Sequence, residues 1–305
     1  MLRKLFLAMA RNDTMQRMIV SFPPTQSVVH RFIPGATVDE CLASVTHLRD
    51  AGLLATIDYL GEDTLSADQA AATRDAYLDL LKRLDEAGLT KYAEVSVKLT
   101  ALGSAFDPEL AYANASAIAD AAAAHGTTVT LDAEDHTTTD GTLAILARLR
   151  ETHPETGIVV QAYLNRTLAD CEHLTDHGSR VRLCKGAYAE PATVAHQGQA
   201  EVSKAFLECL KVLMQGRGYP MVASHDPAMI AAAEELAMGL GRASDSYEFQ
   251  MLYGIRTDEQ RRLADAGHQV RVYVPFGSQW YGYFMRRLAE RPANVAFFAR
   301  ALVGR

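Results

Sequence analysis

Residues 219–252, YPMVASHDPAMIAAAEELAMGLGRASDSYEFQML, decide the fold. A short apolar run over 219–224 ends on the polar residues Ser224, His225 and Asp226. Pro227 then opens a helical stretch over 227–240, because proline is tolerated in a first helical turn and not deeper. Gly239 and Gly241 close that stretch, and a second short run follows over 246–252. Strand, helix and strand within about 30 residues make one βα unit.

The same rhythm runs outward in both directions. Further strands are predicted at 53–59 (LLATIDY), 92–98 (YAEVSVK), 127–132 (TTVTLD), 157–162 (GIVVQA), 181–185 (VRLCK) and 269–275 (QVRVYVP). Helical spacing covers 67–87, 108–125, 139–152, 194–214, 257–266 and 278–290. Gly126 ends one of these helices as a C-cap residue would. Asp258 and Glu259 sit in the first turn of another, where they complement the helix dipole. Eight strands alternating with helices predict the α/β class and a (β/α)8 TIM-like barrel. An open doubly wound sheet is the other solution. It would carry a Gly-rich turn after its first strand, whereas GEDTLSAD stands there. Pro23 and Pro24 interrupt weak helical signals near the start. The expected organisation is a short helical N-terminal arm, 1–38, and a barrel catalytic domain, 39–305.

The chain has 305 residues, 49% hydrophobic and 22% charged, with a net charge of 30 − 37 = −7. The acidic balance argues against nucleic-acid binding, which needs a dense basic surface. Cys41, Cys171, Cys184 and Cys209 form no CxxC pair, so neither a disulfide framework nor a zinc ribbon is expected, and a reducing cytoplasm fits. No apolar run is long enough to span a bilayer. The start, MLRKLFLAMARNDTMQRM, lacks the long apolar region of a signal peptide and reads as an amphipathic helix.

In such a barrel the chemistry belongs at the carboxyl ends of the strands, and those ends are loaded. They carry Lys98; Asp132, Glu134, Asp135 and His136; Gln161; Arg182, Cys184 and Lys185; His225 and Asp226; Glu248 and Gln250; and Tyr273. Strands covered on both faces should read as apolar, so charges there must be paired or functional. The acidic cluster with His136 and His225 offers a metal-binding reading, and with it a lyase or hydrolase. The adjacent Arg286 and Arg287, with Tyr283 and Glu290 on the same helix, offer bidentate recognition of a carboxylate or phosphate. On these residues alone, a non-catalytic anion-binding barrel also stands.

The segments VSVKL (95–99), LDAED (131–135), GIVVQAY (157–163), RLCKGAY (182–188), YEFQML (247–252), RVYVPFG (271–277) and YFMRRLAE (283–290) resemble, in this order, the proline dehydrogenase family. The resemblance spans roughly residues 40–295. It implies a distorted (β/α)8 barrel that binds FAD and oxidises L-proline to Δ1-pyrroline-5-carboxylate. The length resembles the monofunctional enzyme and leaves no room for the aldehyde dehydrogenase of the bifunctional form.

The resemblance further implies roles, residue by residue. Asp132 and Arg182 are catalytic, with Arg182 beside the flavin. Arg286 and Arg287 hold the proline carboxylate, and Glu290 steadies an arginine. Lys98, Leu252, Tyr273 and Tyr283 complete the substrate pocket. Ala133, Gln161, Arg182, Lys185, Gly186, Ala187, Ser224 and His225 contact the FAD. No metal is implied. Electrons are expected to pass to a quinone, and product to a separate pyrroline-5-carboxylate dehydrogenase. A cytoplasmic enzyme is expected, with the arm in peripheral contact with the inner face of the membrane. Three residues depart from the family pattern: Cys184 where an apolar residue is expected, Asp226 where Asn is expected, and Tyr253 where His is common.

Overall fold

The βα units alternate short buried strands with helices, some of which start at a side-chain cap. In the computed structural model of the chain, residues 29–61 and 64–290 are described. The strands are β1 Leu54–Tyr59, β2 Ala93–Val97, β3 Val129–Leu131, β4 Gly157–Gln161, β5 Arg180–Cys184, β6 Tyr219–Ala223, β7 Glu248–Leu252 and β8 Val270–Phe276. All neighbours pair in parallel, and β8 returns to β1 to close the barrel. The closing pair has the longest register, from Leu54 opposite Arg271 to Tyr59 opposite Phe276.

The helices are α1 Val38–Asp50, α2 Ala67–Glu86, α3 Pro108–Ala124, α4 Thr139–Arg150, α5 Thr167–Asp176, α6 Gln199–Gln215, α7 Pro227–Leu240, α8 Thr257–Asp265 and α9 Tyr281–Glu290. Local chemistry sets their starts. Thr37 and Glu40 form a reciprocal capping box on α1. Asp107 caps α3 ahead of Pro108, and Asp226 caps α7 ahead of Pro227. Two of these helices, α1 and α5, lie outside the helical stretches predicted from the sequence. Within the stretch predicted over 194–214, α6 starts at Gln199 and not at 194, because a turn closed by Pro191 and the bridge of Leu164 to Ala195 occupy the preceding residues.

The strands sort their residues by alternation. Ala55, Ile57, Val95, Val97 and Val129 belong to the buried apolar cluster that also includes Tyr77, Leu80 and Ile118 of the helices. The residues between them point into the barrel, and many are polar or charged. A smaller apolar cluster joins Val29, Phe32 and Ile33 to Leu60 and to Tyr281, Phe284 and Met285 of α9. Most of the arm expected over 1–38 lies outside the described residues. Among the described residues no helix is long and apolar enough to cross a membrane.

Candidate active site

The inward residues form two charged layers. The lower layer, the floor, is built from β2, β5, β7 and β8. Glu94 accepts from Arg180 at 2.8 Å and from the hydroxyls of Thr128 and Thr130 at 3.1 Å. Arg271 donates to both oxygens of Glu248, at 2.7 and 3.0 Å, and to the Ala55 carbonyl at 2.9 Å. Burial alone would raise the Glu94 pKa, but Arg180, Arg271 and Arg182 outweigh it and hold the carboxyl well below its ordinary range. A buried charge survives only when paired in this way.

Arg182 links the floor to the upper layer, the mouth. It is 4% exposed. Its two terminal nitrogens donate to Ser96 Oγ at 2.9 Å and to Thr56 Oγ1 at 3.0 Å. Glu94 lies 3.5 Å below it and Asp132 3.8 Å above. Its Nε is buried and has no hydrogen-bond partner among the described residues.

Lys98 stands at the centre of the mouth. Its Nζ lies 2.6 Å from Asp58, 3.3 Å from the Tyr273 hydroxyl and 3.5 Å from Asp132. Tyr273 donates to Asp132 Oδ2 at 2.7 Å, and the Ala133 N–H donates to Oδ1 at 3.1 Å. Burial would push the Asp132 pKa up, yet Lys98, Arg182 and the Tyr273 hydroxyl together keep it lowered. Asp132 therefore stays an anion, consistent with the charge expected for its role. Among the described residues the closest partner of Lys98, however, is Asp58 of β1, a residue not singled out from the sequence.

The acidic run of 132–135 does not gather at one point. Glu134 accepts from the Thr100 backbone and hydroxyl, and its own carbonyl accepts from Gln161 at 2.8 Å. Asp135 caps the short turn at Thr137. His136 pairs with Glu190. The His225 ring accepts from the Leu252 N–H at 2.9 Å on the opposite side. Among the described residues no group of His, Cys, Asp and Glu could hold a metal ion.

The remaining site residues form the rim. Lys185 donates to Asp226 at 2.7 Å and to Ser203 at 2.9 Å, and this contact holds the Asp226 carboxyl below its usual range. Asp226, one of the departures from the family pattern, thus caps α7 and anchors Lys185. Ser224 accepts from the Asp226 N–H at 3.1 Å. Gly186 has φ +107°, and a Cβ there would come within 2.3 Å of the Tyr163 ring. Cys184 is half-buried behind Arg182, and burial pushes its thiol up to about 12. Tyr253 packs against the apolar core.

On α9, Tyr283 is buried and the Arg287 guanidinium lies over its ring at 5.1 Å. Arg287 is close enough to act electrostatically on Cys184 at the end of β5. The side chains of Arg286 and Glu290 lie outside the described residues. Together these elements bring fixed cations, a carboxylate held ionised and aromatic rings to a bowl-like mouth at the carboxyl ends of the strands. Such a bowl orients a small zwitterion and stabilises charge that builds at its base.

The comparisons with known proteins agree on one family. The sequence profile described as Proline dehydrogenase matches residues 41–300. "Proline dehydrogenase 1" of Bacillus subtilis (strain 168) is 36% identical over 303 residues, covering 99% of both chains. "Proline dehydrogenase" of Deinococcus radiodurans is 36% identical over 284 residues, covering 91% of this chain and 90% of that one. Among solved structures, proline utilization A (PutA) from Bdellovibrio bacteriovorus, inactivated by N-propargylglycine, superimposes with a TM-score of 0.81 at 28% identity. That match covers 87% of this chain and 32% of the longer one.

Proposed function

The chain belongs to the proline dehydrogenase family, and from that membership we propose that FAD is its cofactor and Δ1-pyrroline-5-carboxylate its product. Its reaction is the oxidation of proline in proline catabolism, on the CH–NH group.

Two observations support a flavin against the carboxyl ends of β4, β5 and β6. Arg182 keeps a buried Nε without a partner among the described residues, which is a donor awaiting an acceptor. Gly186 holds the loop after β5 in a left-handed turn against Tyr163, and Ala187 follows with a small side chain, so backbone can come close to a flat ligand. Gln161, Lys185, Ala133, Ser224 and His225 border the same region and would complete the hold. Bound there, the flavin would take up the hydride that leaves the carbon beside the proline nitrogen.

The protein's own groups do the rest. Arg286 and Arg287 receive the carboxylate in bidentate fashion. Tyr273, Tyr283 and Leu252 wall the ring and exclude water. Lys98 and Asp132 fix the polar side of the substrate. Arg182 supplies a preorganised positive charge where negative charge accumulates on reduction. Electrons would leave to a quinone, and the product would pass to a pyrroline-5-carboxylate dehydrogenase. Residues 1–38 would form an arm in peripheral contact with a membrane surface, with the catalytic barrel over 39–305. The carrying observation is the buried Arg182 Nε, which has no hydrogen-bond partner among the described residues, under a mouth of fixed charges. Purified protein should be yellow, and its visible absorbance should bleach with L-proline in the absence of oxygen. A colourless protein, or a yellow one that proline does not bleach, would overturn this reading.

A further inference from the structure

Among the described residues two carboxylates of the mouth, Asp58 and Asp132, lie against Lys98, and they are not equivalent. Asp132 has the Tyr273 hydroxyl, the Ala133 N–H, Lys98 and Arg182 around it. Asp58 is fully buried, and its Oδ2 has Lys98 at 2.6 Å. Its Oδ1 has no hydrogen-bond partner among the described residues. A buried carboxylate with one bare oxygen is poorly solvated, and protonation removes the charge that burial penalises.

Other groups around Asp58 are committed elsewhere. The Tyr77 hydroxyl of α2 donates to the Ser96 carbonyl at 2.7 Å. The Tyr273 hydroxyl of β8 donates to Asp132. Arg182 of β5 is bound to Ser96 and Thr56. Among the described residues Lys98 is thus the nearest donor to Asp58, with a weaker contribution from the Tyr273 hydroxyl. Burial pushes the Asp58 pKa up, Lys98 opposes this, and Asp132 adds to the rise.

Resting on the proline-oxidation reading, we propose that Asp58 is the final acceptor, through Lys98, of the proton that the substrate amine must lose before hydride can leave. The amine N–H bond breaks and its electron pair stays on nitrogen. Lys98 Nζ first gives one of its own protons to Asp58 Oδ2, and the electron pair this frees takes the amine proton, so its ammonium ends unchanged. Asp58 becomes the neutral acid. The proton stays inside the pocket, and no solvent base is needed. Asp58 acts through Lys98 and is a positioning residue in that sense; it does not touch the substrate.

A ligand that brings the carboxylate without the proton tests this. Tetrahydrofuran-2-carboxylate has a ring oxygen in place of the amine. Its binding to the flavin-loaded protein is followed by calorimetry in two buffers of different ionisation heat, above neutral pH. The wild-type protein should take up about one proton per analogue bound, because the analogue brings the carboxylate without an ammonium proton. Asp58→Asn should abolish the uptake, and Asp132→Asn should keep it. Wild-type binding without uptake overturns the proposal with no variant needed. Equal uptake in Asp58→Asn also overturns it. Absence of analogue binding in the wild type removes the substrate reading itself, and this proposal with it.

Discussion

The floor and the mouth of the barrel contain the same chemistry, carboxylates among Arg and Lys, yet they are finished to different degrees. On the floor, every buried polar atom of Glu94, Glu248, Arg180 and Arg271 has a partner. In the mouth and the layer just beneath it, Asp58 Oδ1, Arg182 Nε and Gln250 Oε1 have none among the described residues. A complete buried network contributes specificity and resists disruption, whereas unmatched atoms mark where a ligand completes the set. The floor is therefore structural and the mouth functional, although the two meet at Arg182.

The sharpest way to break this division is Arg271→Met. It leaves Glu248 buried without its bidentate partner, so stability should fall by about 3–5 kcal/mol in urea unfolding. Turnover per bound flavin in the folded fraction should stay within roughly threefold, since the site lies in another layer. A catalytic collapse with little loss of stability would erase the distinction. Arg182→Met tests the other side. Turnover should fall roughly 100- to 1,000-fold, with a smaller loss of stability than for Arg271→Met in the same unfolding series.

Two pH experiments sharpen the contrast further. Glu94 has a folded pKa below its ordinary 4.5, so its stabilisation is fully present above pH 4.5 and declines as pH falls toward the folded value. The stability gap between wild type and Glu94→Gln should be constant above that pH and shrink below it. In the mouth, Tyr273→Phe deletes a donor to the lowered Asp132. The acid limb of proline-dependent flavin reduction should move up by about one pH unit. An unmoved limb would show that Asp132 does not control it. The smallest effect belongs to the rim. Gly186→Ala meets the Tyr163 ring and strains a left-handed turn, which should lower stability by about 1–2 kcal/mol and weaken FAD binding about tenfold in a fluorescence titration.

The fold was largely legible, because Pro, Gly and capping residues punctuate it. The helix over Pro227–Leu240 matches its expected bounds, with Pro227 at one end and Gly241 in a left-handed cap at the other. All eight strands fall within two residues of the positions predicted. The helix Thr167–Asp176 escaped because it is short and follows the strand without a side-chain cap. The helix Val38–Asp50 did carry a readable signal, the Thr37–Glu40 capping box.

The site was legible where polar residues end strands and opaque where they lie inside them. Thr56 and Asp58, Glu94, Ser96 and Lys98, and Arg180 and Arg182 alternate with apolar residues. That period of two was the available sign of a polar barrel interior. Asp58 could not be matched to Lys98 without the register between β1 and β2, nor Arg271 to Glu94 without closure of β8 on β1. The acidic run 132–135 misled for the converse reason. Neighbours in sequence point to different places once the chain leaves β3.

The closure of β8 on β1 also has a consequence for synthesis. Asp58 lies opposite Pro275, and Thr56, which holds Arg182, lies opposite Tyr273. Val29, Phe32 and Ile33 pack on Phe284 and Met285. A nascent chain emerging from the ribosome therefore carries Asp58, Lys98 and Asp132 early but lacks Tyr273 and the α9 side of the Val29–Ile33 cluster until β8 and α9 have cleared the exit tunnel. A fragment cut short before β8 would keep the lysine and both carboxylates and lose the tyrosine hydroxyl between them. The barrel seam thus makes the site a late product of synthesis, because β1 waits for the last strand that pairs with it.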